Sequence, residues 1–157
     1  MPIHKEIFNL AIQNEIMSQN LYSALAKSFA SNPDISKVLA GLVPLEKIHE
    51  EKLRKAFQKE FPGVTPEVDI KLSHLIKPED IDDPLAALDF AISREIVAAE
   101  IYAKMAASST DSELMEFLRG LSAEEENHRV LLETEILRID NLMTWFDPSE
   151  LNGLVED

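Results

Sequence analysis

The sequence contains no cysteine, which excludes several kinds of functional site at once. Disulfides, catalytic thiolates, zinc fingers and cysteine-ligated iron–sulfur clusters all require that residue. Glycine occurs only 4 times and aromatic residues make up only 6% of the chain, whereas Ala, Leu, Ile, Glu and Lys are common. Because these common residues favour helices over strands, we expect an all-α protein.

Long apolar runs are also missing. No segment approaches the roughly 20 consecutive apolar residues that a membrane-spanning helix requires. The first residues, Met-Pro-Ile-His-Lys-Glu, lack the charged-then-apolar order of a secretory signal. We therefore expect a cytoplasmic protein that does not bind membranes.

Positive charge is scarce, since the chain has 15 Lys and Arg residues but 29 Asp and Glu residues, and its formal net charge is −14. Such a surface repels nucleic acid and anionic lipids and attracts cations, although many of the carboxylates simply keep the surface hydrated. The length of 157 residues and the hydrophobic content of 45% predict one domain, residues 1–157, with one core.

Apolar residues recur at spacings of three and four in four segments, which is the helical period. The predicted helices cover about residues 3–29, 35–61, 84–108 and 112–142, and a tail follows at 143–157. Asp34 and Asp83 are predicted N-caps, and Pro84 takes the first helical position. Two short turns and one long connection, residues 62–83, predict a four-helix bundle of the ferritin-like kind.

The two halves of the chain are related by an internal repeat. Without gaps, residues 8–28 align with 88–108, and residues 39–53 align with 118–132. The identical pairs include Glu15 with Glu95, Tyr22 with Tyr102, Gly41 with Gly120, Glu46 with Glu125, and His49 with His128. Two copies of one helical hairpin are therefore expected to face each other across a pseudo-twofold axis. We expect the paired glycines to allow close contact between helices.

Residues 46–49 and 125–128 both read Glu-x-x-His on predicted helices. Side chains three residues apart leave nearly the same face of a helix, so each pair can bind one metal ion. A single copy is a weak signal, but two copies at matching positions of a repeat are a strong one.

Glu15 and Glu95 lie among residues that should face the core. Burying an unpaired carboxylate costs several kcal/mol, which cations at the bundle centre would offset. The alternative is that both glutamates sit at the edge of the apolar stripe and reach water.

The predicted metal ligands supply only oxygen and nitrogen atoms, and they are Glu15, Glu46, His49, Glu95, Glu125 and His128. Bridging carboxylates can hold two metal ions about 3.5–4 Å apart. Iron or manganese suits this ligand set best, and zinc can substitute. We therefore predict two iron ions, with manganese or zinc as substitutes.

Tyr22 and Tyr102 each follow a predicted ligand glutamate by two helical turns. We predict that each hydroxyl hydrogen-bonds a ligand carboxylate from another helix, and the alternative is a core aromatic whose hydroxyl is satisfied elsewhere.

The remaining histidines, His4 and His74, have no partners in the repeat and are interpreted as surface or capping residues. Trp145 and Phe146 are expected to follow the last helix and to pack on the bundle or on a second subunit.

With these motifs, the chain resembles the rubrerythrin-like branch of the ferritin-like superfamily over about residues 3–142. The family pattern places a Glu on the first and third helices and a Glu-x-x-His on the second and fourth. The resemblance implies a carboxylate-bridged di-iron centre that reacts with peroxide or dioxygen. Full-length rubrerythrins also carry a cysteine-ligated rubredoxin domain, so this chain would need a separate electron donor such as a rubredoxin. Rubrerythrins tend to have one more carboxylate near the third-helix ligand, where this chain has Ala98 and Ala99.

Three functions are compatible with these features. The first is a di-iron oxidoreductase that reacts with peroxide or dioxygen and works as a homodimer. The second is a ferritin-like ferroxidase that oxidises and passes on iron. The third is a non-enzymatic interaction module in which the metal ions act as structural staples.

Overall fold

The computed structural model describes the backbone of residues 5–69 and 80–145, and side chains up to residue 140. The four helices are α1 (Lys5–Ser28), α2 (Pro33–Glu60), α3 (Pro84–Ser108) and α4 (Ser112–Trp145). No strand occurs in this part of the chain, so the predicted all-α, four-helix bundle is confirmed. The predictions for His4, His74, Phe146 and the side chain of Trp145 lie outside the described residues.

The start of α3 agrees with the sequence prediction. The Asp83 side chain accepts a hydrogen bond of 3.3 Å from the amide of Leu85, and Pro84 follows at the first helical position. The cap satisfies a backbone donor that has no partner within the helix.

The start of α2 and the end of α4 differ from the predictions. Asn32, not Asp34, is the N-cap of α2, because Pro33 already has the φ angle that the first helical position needs. Asp34 therefore lies in the first turn, where a negative charge favours the helix dipole. At the other end of the chain, α4 continues past residue 142 to Trp145, so this residue belongs to the helix and not to the tail.

Two hairpins build the bundle, since α1 packs along α2 and α3 packs along α4. Buried apolar side chains form two clusters. One contains Phe8, Leu53, Phe57, Met105 and Leu118, and the other contains Leu25, Ile35, Leu39, Leu88 and Leu132. On every helix the two clusters are separated by buried polar residues, so a polar layer divides the core.

Gly41 and Gly120 do not mediate the close helix contacts that the repeat suggested. Both are exposed, and a Cβ atom added at either position would meet nothing within 4 Å. They lie on the outer faces of α2 and α4, which accounts for the wrong prediction.

Across residues 5–69 and 80–145, none of the helices combines the length and apolarity that crossing a membrane would demand.

Packing of the core can be tested with two leucines of α4. Leu118 is fully buried, whereas Leu137 is 63% exposed. We expect Leu118→Ala to lower the free energy of unfolding by about 2–5 kcal/mol through lost burial and a cavity. The matched control, Leu137→Ala, should change it by less than about 0.5 kcal/mol. Urea denaturation of both variants provides the comparison, and equal losses would contradict this packing.

Candidate metal centre

The polar layer that divides the core contains all six residues predicted from the repeat. They are Glu15 on α1, Glu46 and His49 on α2, Glu95 on α3, and Glu125 and His128 on α4. None of the six is more than 9% exposed, so the alternative in which the first-helix and third-helix glutamates reach water is wrong. The bundle thus places four carboxyl groups and two imidazoles between two apolar clusters.

These side chains form two overlapping sets of possible metal ligands. One set contains Glu15, Glu46, His49 and Glu125, and the other contains Glu46, Glu95, Glu125 and His128. Within each set, one ligand atom per residue lies within 4.8 Å of all the others. Glu46 and Glu125 belong to both sets, as carboxylates that bridge two neighbouring cations would.

Both histidines turn their Nδ1 atoms toward the carboxyl groups. His49 Nδ1 lies 2.5 Å from Glu125 Oε1 and 3.7 Å from Glu46 Oε2. His128 Nδ1 lies 3.2 Å from Glu46 Oε1 and 3.4 Å from Glu95 Oε2. The two rings are stacked, with centroids 5.5 Å apart and planes 13° from parallel. One imidazole therefore serves each set from the same side of the cluster.

Two buried tyrosines hold the carboxyl groups of α1 and α3. Tyr22 on α1 donates a hydrogen bond of 2.9 Å to Glu95 Oε1 on α3, and Tyr102 on α3 donates one to Glu15 Oε1 on α1. The hydrogen bonds predicted from the repeat are thus present. Because each crosses between the hairpins, they link the orientation of the carboxyl groups to the docking of the two halves.

Glu124 is a residue of the site that sequence reasoning missed. Its Oε2 atom lies 2.5 Å from Nε2 of His49, and Lys52 Nζ lies 3.6 Å from its Oε1 atom. An acidic run such as Glu124-Glu125-Glu126 ordinarily indicates a solvated face, and only Glu125 has the phase of the core-facing residues. Residue 124 is rotated by about 100° from residue 125, which turns it away from the core but toward α2. No pattern within its own helix shows that a histidine of another helix lies there.

Without metal, protons balance the buried negative charge. Burial, followed by the neighbouring Glu46 and Glu125, raises the pKa of Glu15 well above its ordinary value. Burial and the hydrogen bond with Glu95 raise the pKa of Glu125 to about 12.

The pKa values of the two histidines and of Glu46 shift in the direction that keeps each group charged. Burial opposes the change, but the neighbouring Glu46 and the charge of other nearby carboxylates raise the pKa of both His49 and His128 to about 9. Burial also opposes the shift at Glu46, yet hydrogen bonds from Glu15 and the two imidazoles lower its pKa below the ordinary range. Cations would therefore replace protons on binding.

The donor set fits a pair of divalent metal ions. Four buried polar atoms of the cluster make no hydrogen bond of regular geometry, namely Glu15 Oε2, His49 Nδ1, Glu95 Oε2 and Glu125 Oε1, although His49 Nδ1 and Glu125 Oε1 lie close together. Buried polar atoms are almost always paired, and these four all belong to the two ligand sets. Carboxylate oxygens and imidazole nitrogens are suitable ligands for iron, manganese or zinc.

Comparison with known proteins agrees with this geometry. A family model described as Rubrerythrin matches residues 6–136. The chain belongs to the rubrerythrin family. A solved structure described as a hypothetical protein from Pyrococcus furiosus superposes with a TM-score of 0.71 at 25% sequence identity, covering 92% of this chain and 98% of that one. No curated protein matches the chain. Membership of the rubrerythrin family and the buried Glu and His cluster together indicate a metal site.

The metal-free state of this rubrerythrin-family chain should be destabilised by its own site. Because the pKa of Glu125 is raised from 4.5 to about 12, its protonated carboxyl contributes stability fully below about pH 4.5. That contribution is lost as the pH rises toward about 12. We expect Glu125→Gln, which cannot ionise, to raise the free energy of unfolding of the metal-free protein at neutral pH, with a smaller difference near pH 4.5.

Urea denaturation in the presence of a chelator measures this effect. Glu126→Gln is the matched control, because the side chain of Glu126, at the neighbouring position, is 47% exposed and pairs with Arg129. A Glu125→Gln variant that is less stable than the parent at neutral pH would contradict the electrostatic account.

Proposed function

We propose that the protein is a di-iron oxidoreductase that reduces peroxide or dioxygen with electrons from a separate donor protein such as a rubredoxin. The observation that carries the proposal is the pair of buried ligand sets that share Glu46 and Glu125. Two sets with shared carboxylates suit a reaction of two electrons, because each iron ion, when bound, can supply one electron and act as a Lewis acid.

Each ligand has a role that follows from its place in the cluster. Glu46 and Glu125, which belong to both ligand sets, would help to hold both iron ions, while Glu15 with His49 would hold one of them and Glu95 with His128 the other. The buried tyrosine hydroxyls leave one oxygen of Glu15 and one of Glu95 free for metal, since Oε2 of each has no hydrogen-bond partner. The tyrosines therefore orient the carboxylates and do not compete with the metal ions.

Access to the site is provided by a cavity of about 310 Å³ between α2 and α4. His49 and His128 line it, together with Leu45, Ile48, Lys52, Glu124 and Asn127. A cavity of this size admits a molecule as small as peroxide or dioxygen, and apolar clusters cover the polar layer above and below. This approach to the two histidines supports chemistry on a small oxidant.

The face of α3 next to Glu95 differs from the usual rubrerythrin pattern. Ala98 and Ala99 are buried there, and Glu100 is exposed. Among the described residues, neither ligand set includes a second carboxylate from α3. The proposed centre therefore relies on six protein ligands.

Iron handling is the second candidate, and the net charge of −14 favours it because ferrous ions would be drawn to the surface. In that function the protein would oxidise ferrous ions and release or store them. Storage needs a hollow assembly, so the solution mass distinguishes it from the action of a homodimer.

The shared ligands give a direct test of the site. We expect Glu46→Ala and Glu125→Ala each to lower bound iron from two ions per chain to fewer than one, because each residue belongs to both ligand sets. Iron per chain is measured by elemental analysis after anaerobic loading and desalting. Glu126→Ala, which alters an exposed neighbour, should still bind two. Two iron ions in both site variants would refute the assignment.

The reaction itself is tested by stopped-flow spectroscopy of the ferrous protein. We expect oxidation by peroxide to be at least about tenfold faster than oxidation by dioxygen at equal concentration, and addition of a reduced rubredoxin should restore the ferrous state. Rapid oxidation by dioxygen followed by loss of iron from the protein would favour iron handling. No spectral change with either oxidant would favour a structural role for the metal ions.

A further inference from the structure

The two imidazoles of the cluster differ in what their Nε2 atoms, which point away from the buried carboxyl groups, contact. His49 Nε2 lies 2.5 Å from the carboxylate of Glu124. Nε2 of His128 makes no hydrogen bond with any residue in the stretches 5–69 and 80–140. The two ligand sets thus contain equivalent residues, but only one of the two histidines has a hydrogen bond at Nε2.

This asymmetry is present in the repeat itself. Glu124 precedes Glu125 by one residue, and the matching position before Glu46 is Leu45. Leu45 lines the same cavity as His128, and the repeat relates it to the position from which Glu124 contacts His49. An apolar side chain cannot accept a hydrogen bond, which explains why only His49 has an outer partner.

An outer carboxylate changes how an imidazole binds metal. A neutral imidazole coordinates through one nitrogen only when the other carries the proton, and an acceptor beside that proton fixes the tautomer. The same hydrogen bond fixes the ring orientation and raises the basicity of the ligand nitrogen, and losing it typically costs about 10- to 100-fold in metal affinity. With Nδ1 turned inward and Nε2 bonded to Glu124, His49 is arranged in this way.

The tyrosines do not make the two ligand sets unequal, because each set has one tyrosine bonded to one of its glutamates. Tyr102 bonds Glu15 in the set of His49, and Tyr22 bonds Glu95 in the set of His128. Lys52 lies beside the other oxygen of Glu124 at 3.6 Å and holds that carboxylate at the mouth of the cavity. The outer carboxylate of Glu124 is therefore a difference between the two positions that acts directly on a ligand.

We propose that Glu124 is a positioning residue that makes the two metal positions unequal. The position of Glu15 and His49 fills first and retains its ion, whereas the position of Glu95 and His128 fills second and exchanges its ion more readily. This inference rests on the proposed two-metal function and adds to it an order of loading and a labile position.

The test uses the full-length protein, freed of metal and titrated with Co²⁺ by calorimetry and visible absorption. The parent protein should bind two ions in separate steps. Glu124→Leu should weaken the tighter step by about 10- to 100-fold and leave the weaker step unchanged. Leu45→Glu should instead strengthen the weaker step, and Glu126→Leu, the control at an exposed neighbouring glutamate, should alter neither.

A spectroscopic readout separates positioning from a general structural role. In the zinc-loaded parent protein, the Nε2 proton of His49 should exchange slowly with water in NMR spectra, because it is bonded to Glu124. Glu124→Leu should abolish that slow exchange while the melting temperature of the metal-free protein stays within a few degrees of the parent.

Three outcomes would overturn the inference. They are two equal steps in the parent, a Glu124→Leu variant that weakens both steps equally, and one that weakens neither. A parent protein that binds fewer than two ions would contradict the proposed function itself, so the two failures can be told apart.

Discussion

The structure depends on neutralising buried negative charge. Four carboxyl groups lie in a layer between two apolar clusters, where ionised groups are strongly destabilised unless opposite charge is near. In the absence of metal, the raised pKa values of Glu15, Glu125 and both histidines show that protons supply that charge. The core thus contains a polar layer at its centre, and the glutamates and histidines of that layer form a candidate metal site.

The repeated hairpin explains how one short chain assembles such a layer. Each copy contributes one glutamate from its first helix and one Glu-x-x-His from its second, and antiparallel packing brings all six to one level. The cross-hairpin hydrogen bonds of Tyr22 and Tyr102 connect the halves at that same level. Docking of the hairpins and alignment of the ligands are therefore one process, and a displacement of either half would disturb both ligand sets.

Much of this could be predicted from the sequence, because helical phase decides which side chains face inward. Glu46, His49, Glu125 and His128 share the core-facing phase of the buried leucines, and duplication made the pattern visible. The start of α2 was predicted wrongly because Asn32 and Asp34 are both good caps and Pro33 decides between them. The contact between Glu124 and His49 could not be predicted, since it depends on the distance between two helices and not on the phase of either.

The pseudo-twofold relation has a consequence for how such a site can originate. A single hairpin sequence carries one half of every element of the centre, so two identical hairpins paired as separate chains would already present the complete set of donors. Joining the two copies through the connection at residues 62–83 removes the requirement that they stay identical. Each position can then diverge from its twin, and the leucine and glutamate found at residues 45 and 124 are such a divergence beside the two histidines.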